Sequence, residues 1–299
     1  MRRSNRAPVM HRLSSGLGAV SAGHDLLEEA EQVAIDAARA AGREILVGMG
    51  STVKKQKLNF KDIVTEVDGR CQEMIRSAIS SAFPSHAFLG EEDVSPGAEA
   101  AARAIKDGLD SAEYVWIVDP VDGTTNLAAG IPLVTTSIAL ARNGVVQLGV
   151  VYDPNRDELF TARRGSGARL NGEPIMPVDS RLELTDAILC VGNPPLPAAF
   201  QYNIAVISSL GPQVRGLRML SSAALIYCWT ALGRVSAYVA TDINAWDFAA
   251  AQLVVQEVGG EVTDHSGRAL QLTDRDTVCS VGGLHSKIID ALMEIENYS

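Results

Sequence analysis

The sequence has few cysteines, and none of them is placed for a cluster. Cys71, Cys190, Cys228 and Cys279 lie far apart among the 299 residues, with no Cys-x-x-Cys pair. That spacing indicates neither a zinc site nor a disulfide framework, so we expect a reducing, cytoplasmic setting. No apolar run approaches the roughly 18 residues of a membrane-spanning helix, and we therefore expect no membrane partner.

Positive charge is also scarce. The 26 Lys and Arg residues are outnumbered by 36 Asp and Glu residues, which gives a formal net charge of −10. Proteins that bind nucleic acid usually carry a basic face, so we expect no nucleic-acid partner. Hydrophobic residues form 46% of the chain, which is enough for the core of one large or two medium-sized domains.

The first 24 residues differ from the rest. They contain four arginines and several serines, and the first acid is Asp25. This composition is weakly similar to that of an organellar transit peptide. It favours a disordered leader over residues 1–24, and we expect the folded part to begin with a helix at Asp25.

Two successive patterns divide the remaining chain. Residues 25–180 are expected to form an α+β segment that ends in an antiparallel meander over 134–178. The pairs Asn143-Gly144 and Asn171-Gly172 mark hairpin turns of that meander. Residues 181–299 alternate strands and helices, which predicts an α/β segment. A layered sandwich of helices and sheets accommodates both segments.

Four short stretches place acids where apolar runs begin or end. Most of the chain's 36 acids belong on solvated surfaces, but these four stretches adjoin hydrophobic elements. We therefore expect their carboxylates to point toward element ends and to form a cluster. The stretches are DIVTEVD (62–68), GEED (90–93), DPVDGTTN (119–126) and WDFAA (246–250).

Such a cluster needs a cation. Two carboxylates about 4 Å apart repel by about 4 kcal/mol at an effective dielectric constant near 20, so four together would be strongly destabilising. Oxygen ligands without His or Cys suit a hard ion such as Mg²⁺. If a helix begins at Gly123, its unpaired backbone N–H groups form an anion site beside the metal. This combination favours hydrolysis of a phosphate ester by metal-activated water.

The motifs closely resemble those of the inositol monophosphatase family, in the family's order and over about residues 25–299. They are WIVDPVDGTTN (116–126), WDFAAAQLVVQEVGG (246–260), GEED and DIVTEVD. The resemblance implies a phosphomonoesterase with an αβαβα sandwich that uses two or three Mg²⁺ ions. It also implies a homodimer that is sensitive to lithium.

The resemblance implies a set of metal ligands as well. The implied ligands of the first ion are Glu91, Asp119, the Val121 carbonyl and Thr124. The implied ligands of the second ion are Asp119, Asp122 and Asp247.

Other matched residues have implied roles in catalysis or phosphate binding. Asp68 and Thr124 would bond each other and orient the attacking water, and Glu92 would support a metal-bound water. The Gly123 and Thr124 amides would receive the phosphate, and Lys57 would lie near it. Alternatives stay open for three residues: Asp68 could only cap the second helix, Glu92 could be a solvated loop acid, and Lys57 could belong to a solvated basic loop.

Substrate choice depends on residues that face the non-phosphate part. The candidates by motif position are Ser222, Ala223, Ala240 and Asp242. Family members that act on inositol phosphate commonly carry a glutamate seven residues before the WD aspartate, and Ala240 occupies that position here. We expect a weakly selected inositol 1-phosphate-like sugar phosphate, with Asp242 or a partner subunit as another source of the missing acceptor. Relatives that act on fructose 1,6-bisphosphate, dinucleotide phosphates, 3′-phosphoadenosine phosphate or histidinol phosphate share the metal core, and these substrates are alternatives.

Two other functions compete with this hypothesis. Haloacid dehalogenase-type enzymes have a similar D-x-D-G-T motif, but their nucleophilic Asp would fall at Pro120, which cannot attack. A non-catalytic binding protein on the same fold would be marked by the loss of a metal ligand, and every matched ligand is present.

Overall fold

The computed structural model describes residues 17–60, 63–178 and 181–298. Within these ranges the chain forms eight α-helices. They are α1 (Leu17–Val47), α2 (Glu66–Ala82), α3 (Ala98–Ser111), α4 (Thr124–Ala129), α5 (Pro197–Leu210), α6 (Ala223–Ala231), α7 (Ala245–Glu257) and α8 (His285–Tyr298).

The strands of the described residues form three sheets. They are β1 (Val53–Gln56), β2 (Ile63–Thr65), β3 (Ala87–Gly90), β4 (Tyr114–Asp122), β5 (Thr135–Arg142), β6 (Val145–Asp153), β7 (Glu158–Arg163), β8 (Ala168–Leu170), β9 (Glu173–Pro174), β10 (Ile188–Val191), β11 (Gly216–Arg218), β12 (Ala237–Ala240), β13 (Glu261–Thr263) and β14 (Thr277–Ser280).

The predicted leader, residues 1–24, overlaps the first helix. Residues 1–16 lie outside the described residues, but residues 17–24 are helical because α1 begins at Leu17. The helix thus starts before its predicted first residue, Asp25. Adding residues to a formed helix costs far less free energy than nucleating one, so a helix can extend beyond its first strong sequence signal.

The larger sheet contains the predicted meander. Its seven strands follow the order β3-β4-β5-β6-β7-β8-β9, and all neighbours are antiparallel except β3 and β4. Asn143 and Gly144 have φ values of 49° and 77°, and Asn171 and Gly172 have φ values of 51° and 86°. Two successive positive φ angles are typical of tight type I′ hairpin turns, so both predicted turns are confirmed.

Three hydrophobic cores define five layers. In β4, Trp116 and Val118 face α1 and α2, while Val115 and Ile117 face the core that contains α6 and α7. This alternation follows from the two-residue period of a strand. The five-stranded sheet, in the order β11-β10-β12-β14-β13, covers the other side of α6 and α7. Its outer face packs against α5 and α8, which completes the predicted αβαβα sandwich.

The two predicted segments share one core. Helices α6 and α7 belong to the segment 181–299, yet their residues pack with Val115, Ile117 and Phe160 of the first segment. This packing brings the start of each helix close to the end of β4. The boundary near residue 181 stays a prediction. Within the described residues no helix is both long enough and apolar enough to cross a membrane.

Candidate active site

A cavity of about 470 Å³ lies where β4 ends and α4, α6 and α7 begin. A pocket of this size suits a small organic ligand. Its walls combine residues of both segments, among them Lys57, Glu91, Asp122, Thr124, Asp242 and Asp247. Most of the predicted site residues therefore line one cavity or lie directly beneath it.

Asp119 and Asp122 end β4 at a change of register. β4 pairs with β5 residue by residue as far as Asp119, and the ladder shifts before the next pair, Asp122 with Thr135. Such a bulge re-aims side chains near a strand end. Asp119 is 2% exposed, and its Oδ1 accepts a hydrogen bond from Val121 N at 2.9 Å. Both carboxylates are buried at the base of the cavity.

Four hydrogen bonds hold the Asp122 carboxylate. Ser222 Oγ and Thr135 Oγ1 donate to its Oδ2 at 2.7 and 3.0 Å. Ala223 N donates to Oδ1 at 3.0 Å, and Ala224 N donates to Oδ2 at 2.9 Å. The two amides are the first of α6, whose N-terminus therefore stabilises the negative charge.

Glu91 and Glu92 lie in a 3₁₀ turn, Glu91–Asp93, that follows β3. Lys57 Nζ donates to Glu91 Oε1 at 2.7 Å and to Glu92 Oε1 at 2.9 Å. Gln72 of α2 supports the turn from behind, because its Oε1 accepts from Glu92 N at 2.9 Å. The Lys57 side chain is only 12% exposed, so the alternative of a solvated basic loop is wrong for this residue.

Asp247 is carried into the site by the start of α7. Its Oδ2 accepts a hydrogen bond from Asn244 N at 2.6 Å, and the Asn244 side chain accepts one from Asp247 N in return. This reciprocal cap fixes the first turn of the helix. The rest of α7 is mostly buried, so the position of Asp247 is set by packing.

The buried acids raise one another's pKa values. Burial raises the pKa of Asp119 well above its ordinary value, and the charges of Glu91, Asp122 and Asp247 raise it further. Burial and the charge of Glu91 also raise the pKa of Asp247 well above its usual range. Burial raises the pKa of Asp122, although its hydrogen bonds oppose this. Burial is the main reason that the pKa of Glu92 is raised to about 7.

The Lys57 ammonium supplies part of the compensating charge. Burial lowers the pKa of Lys57, but the charges of Glu91 and Glu92 and its hydrogen bonds to them outweigh this and raise it overall. We call the acid side of the cavity the carboxylate floor. It comprises Glu91, Glu92, Asp119, Asp122 and Asp247.

The carboxylate floor fits a hard divalent cation in its chemistry. Its donors are all oxygens, they are buried or half-buried, and they repel one another, which is the situation that Mg²⁺ relieves. Among the described residues, no group of three or more His, Cys, Asp or Glu side chains is arranged to hold a metal ion. The acids instead form an electrostatic network in which backbone amides, hydroxyl groups and Lys57 hold the individual carboxylates.

Asp68 and Thr124 meet as predicted. Thr124 Oγ1 donates to Asp68 Oδ1 at 2.9 Å and lies 3.1 Å from the Val121 carbonyl oxygen. Asp68 Oδ2 also accepts from Thr65 N and Thr65 Oγ1, at 2.9 and 2.6 Å, and so caps α2. One buried carboxylate therefore serves both the helix and the threonine, and capping alone does not describe its contacts.

The turn between β4 and α4 requires glycine. Gly123 has a φ of 100°, and a Cβ there would lie 2.7 Å from the Leu133 carbonyl oxygen. The Asn126 side chain fixes the same turn, since its Nδ2 donates to the carbonyl oxygens of Leu133 and Leu220 at 2.9 and 2.8 Å. Gly123 and Thr124 line the cavity, and the helix begins at Thr124, one residue after the predicted start.

Three predicted substrate contacts have different surroundings in the structure. Ser222 and Ala223 line the cavity, but their O–H and N–H groups bind Asp122. Ala240 is fully buried and is not among the residues that line the cavity. Its side chain packs in the core because β12 is covered on both faces. Ala240 therefore does not supply the predicted substrate contact.

A second group of cavity-lining residues was largely unpredicted by the sequence. We call it the distal wall, and it comprises Asn193, Pro194, Pro195, Asp242 and Arg275. Only Asp242 was among the candidates, through its motif position. Arg275 and the Asn193-Pro194-Pro195 loop belong to no motif, and only the fold brings them to the site.

Comparison with known proteins identifies the family. A model of the inositol monophosphatase family matches residues 26–297. Inositol monophosphatase 1 of Solanum lycopersicum is 39% identical over 276 residues, which cover 91% of this chain and 98% of that protein. A Thermotoga maritima protein named fructose-1,6-bisphosphatase/inositol-1-monophosphatase is 34% identical over 258 residues, covering 86% of this chain and 93% of that protein.

A solved structure supports the same assignment. An IMPase from Thermotoga maritima matches with a TM-score of 0.77 and 31% identity, covering 92% of this chain and 99% of that one. The αβαβα architecture predicted from the sequence is thereby confirmed. The chain belongs to the inositol monophosphatase family, which is generally metal-dependent, and it is a phosphoric monoester hydrolase.

Proposed function

We propose that the protein hydrolyses a small, inositol 1-phosphate-like phosphate monoester with the help of bound Mg²⁺. The observation that carries the proposal is the carboxylate floor, where two buried and three half-buried acids line or adjoin the cavity that also contains the Gly123-Thr124 turn. Such an excess of buried negative charge is costly unless a cation is bound during function.

The floor residues would hold two or three Mg²⁺ ions. The ligands would be the carboxylates of Glu91, Asp119, Asp122 and Asp247, with the Val121 carbonyl and the Thr124 hydroxyl. When bound, Mg²⁺ supplies Lewis acidity toward the phosphate oxygens and the attacking water. The hydrogen bonds to Asp122 and Asp247 keep these two carboxylates oriented for that task.

The remaining site residues would position the attacking water and the phosphate or transfer a proton. Because Asp68 accepts the hydrogen bond of the Thr124 hydroxyl, a lone pair of that oxygen is available to accept a bond from the attacking water. Glu92, whose pKa is about 7, can take or release a proton near neutral pH. The Gly123 and Thr124 amides would receive phosphate oxygens.

A second substrate has one specific observation in its favour. The Thermotoga maritima relative carries fructose-1,6-bisphosphatase in its name as well as inositol-1-monophosphatase. Fructose 1,6-bisphosphate is therefore the second candidate, with the same chemistry at one of its phosphates.

The resemblance to the family supports three further parts of the proposal. The protein would act as a homodimer, would be inhibited by lithium, and would work in the cytoplasm. Sedimentation of the purified chain, a lithium titration of its activity and imaging of a tagged protein test these parts separately.

Phosphate release from a panel of monoesters tests the proposal directly. The panel contains inositol 1-phosphate, fructose 1,6-bisphosphate, histidinol phosphate and p-nitrophenyl phosphate, each with Mg²⁺ and with EDTA. We expect hydrolysis with Mg²⁺ that EDTA abolishes. The control is Asp157→Asn, since Asp157 is an exposed acid bonded to Tyr152 outside the cavity, and it should match the wild type. Release of no phosphate from any ester, or release unaffected by EDTA, would contradict the proposal.

A further inference from the structure

The distal wall contains an ion pair at the edge of the cavity. Arg275 Nε donates to Asp242 Oδ1 at 3.2 Å, and Nη2 bonds the same oxygen. Arg275 Nη1 bonds Asn244 Oδ1, and Asn244 caps the helix that carries Asp247. The Asp242 side chain is 10% exposed and lines the cavity. Within the described residues, its second carboxylate oxygen, Oδ2, accepts no hydrogen bond.

The segment that carries Asp242 is firmly held. Asp242 N donates to Asp276 Oδ1 at 3.0 Å. The preceding residue, Thr241, donates from Oγ1 to Asn203 Oδ1 at 2.7 Å. Asn203 is fully buried, and its Nδ2 donates to the Gly192 carbonyl oxygen at 2.8 Å, next to the loop that forms the rest of the distal wall. One buried amide thus fixes both parts of the wall, so the Asp242 carboxylate is preorganised.

Every cation among the described residues that line the cavity has an anionic partner. Among the described residues that line it, the cations are Lys57 and Arg275. Lys57 is bonded to Glu91 and Glu92, and Arg275 is bonded to Asp242. Beyond the phosphate-binding turn, the described residues of the cavity therefore present a carboxylate acceptor but no unpaired positive side chain.

We propose that Asp242, held in place by Arg275, selects the non-phosphate part of the substrate and favours a neutral group rich in hydroxyls over a second anion. This inference rests on the proposed function and narrows its substrate class to polyol monophosphates. A hydroxyl can donate to the fixed carboxylate, whereas a second phosphate would meet like charge and would find no unpaired cation among the described residues that line the cavity. The role predicted for position 240 is thus carried by a residue two positions further along the chain.

The test uses two substitutions that the backbone tolerates. Asp242 has a φ of 62°, in the left-handed region that glycine adopts most easily. Asp242→Gly therefore removes the carboxylate without backbone strain, and Asp242→Asn removes the charge but keeps one acceptor oxygen. Asp157→Gly is the matched control, because Asp157 also has a left-handed φ, 52°, but lies outside the cavity.

The measurement is kcat/KM for inositol 1-phosphate, fructose 1,6-bisphosphate and p-nitrophenyl phosphate with the full chain and Mg²⁺. A hydrogen bond to a charged acceptor corresponds to about ten- to a hundredfold in selectivity. We expect wild type to prefer inositol 1-phosphate to the other two esters. Asp242→Gly should reduce both preferences by about ten- to a hundredfold, Asp242→Asn should reduce them less, and Asp157→Gly should leave them unchanged.

Each other outcome overturns the inference. Asp242 does not select the substrate if wild type prefers fructose 1,6-bisphosphate. The same conclusion follows if the substrate preferences of Asp242→Gly equal those of wild type. An equal loss on all three esters shows that the ion pair only supports the fold. If wild type releases phosphate from none of the esters, the proposed function itself fails. If wild type hydrolyses all three esters without preference, the proposed function still holds and only this inference is wrong.

Discussion

The carboxylate floor and the distal wall face the same cavity but differ in charge balance. The floor places five acids against one ammonium, Lys57, whereas the wall pairs one acid, Asp242, with one guanidinium, Arg275. A cluster with excess negative charge needs a bound cation to offset the repulsion, whereas a neutral ion pair needs none. This difference fits our proposal, in which the floor would bind the metal and the phosphate that every substrate shares, and the wall would contact the part in which substrates differ.

The two regions also differ in how the fold builds them. The floor is attached to the ends of regular elements: the bulge in β4, the amides of α6 and the cap of α7. The wall consists of loop residues connected by Asn203 and Arg275. We therefore expect floor substitutions to affect catalysis and stability together, and wall substitutions to affect substrate choice.

The largest effect should come from Asp122→Asn. The substitution removes a proposed metal ligand, and its new NH₂ group faces the α6 amides, which are donors themselves. We expect kcat/KM to fall by more than the about 10- to 100-fold that residues behind a metal ligand usually cost. Calorimetric Mg²⁺ titration should show weakened binding. The control is Asp93→Asn, because Asp93 bonds Gln72 and Arg76 instead of lining the cavity; unchanged Mg²⁺ affinity in Asp122→Asn would contradict the assignment.

The next largest effect should come from Asp68→Asn. Thr124 then loses its charged acceptor, so we expect kcat to fall by about 100-fold or more, in the range of a lost proton-handling group. Mg²⁺ affinity should stay nearly unchanged, because Asp68 is not a proposed ligand. The asparagine oxygen can still accept from Thr65 N, so the free energy of unfolding should fall by no more than about 1 kcal/mol. Loss of Mg²⁺ affinity equal to that of Asp122→Asn would show that the two roles are wrongly divided.

Glu92 should make the metal-free protein sensitive to pH. Its pKa is raised from 4.5 to about 7 on folding. Between these values the folded state holds the proton more tightly, so the free energy of unfolding falls as the pH rises through this window. The full difference corresponds to about 3 kcal/mol. Urea unfolding in EDTA at pH 5 and pH 8 should show this decrease in the free energy of unfolding in wild type but not in Glu92→Gln. The same pH dependence in both proteins would contradict the raised pKa of Glu92.

Mg²⁺ should stabilise the folded protein by a somewhat smaller amount. A ligand that binds only the native state at a hundredfold excess over its Kd adds about 2.7 kcal/mol. Reduced repulsion among the floor acids is the physical source. Thermal melts with EDTA and with millimolar Mg²⁺ should differ by several degrees in Tm, and the difference should shrink in Asp119→Asn. A Tm that does not respond to Mg²⁺ would count heavily against a metal site.

The sequence predicted the floor well because its residues sit in compact motifs. Asp119 and Asp122 end an apolar run, and Asp247 begins another, so their local patterns already place them at element ends. The contact between Asp68 and Thr124 came from resemblance to the family, and the structure shows it at 2.9 Å. These features depend on short stretches of chain whose local structure is strongly determined.

The sequence predicted the wall poorly because tertiary packing creates it. Ser222 and Ala223 were expected to face the substrate. Because α6 begins beside the end of β4, the Ser222 hydroxyl and the Ala223 amide donate to Asp122 instead. Ala240 lies in a strand covered on both faces, which a four-residue apolar run does not reveal. Arg275 reaches Asp242 from more than thirty positions along the chain, and no local pattern carries that contact.

Mg²⁺ binding by two matched variants tests the division of the cavity most directly. Asp242 and Asp247 lie on the same short segment, and both line the cavity, but we place one in the distal wall and the other in the carboxylate floor. Isothermal titration of Mg²⁺ into wild type, Asp242→Asn and Asp247→Asn should show binding that survives in Asp242→Asn and is strongly weakened in Asp247→Asn. Equal weakening in both variants, or full binding in Asp247→Asn, would contradict the account.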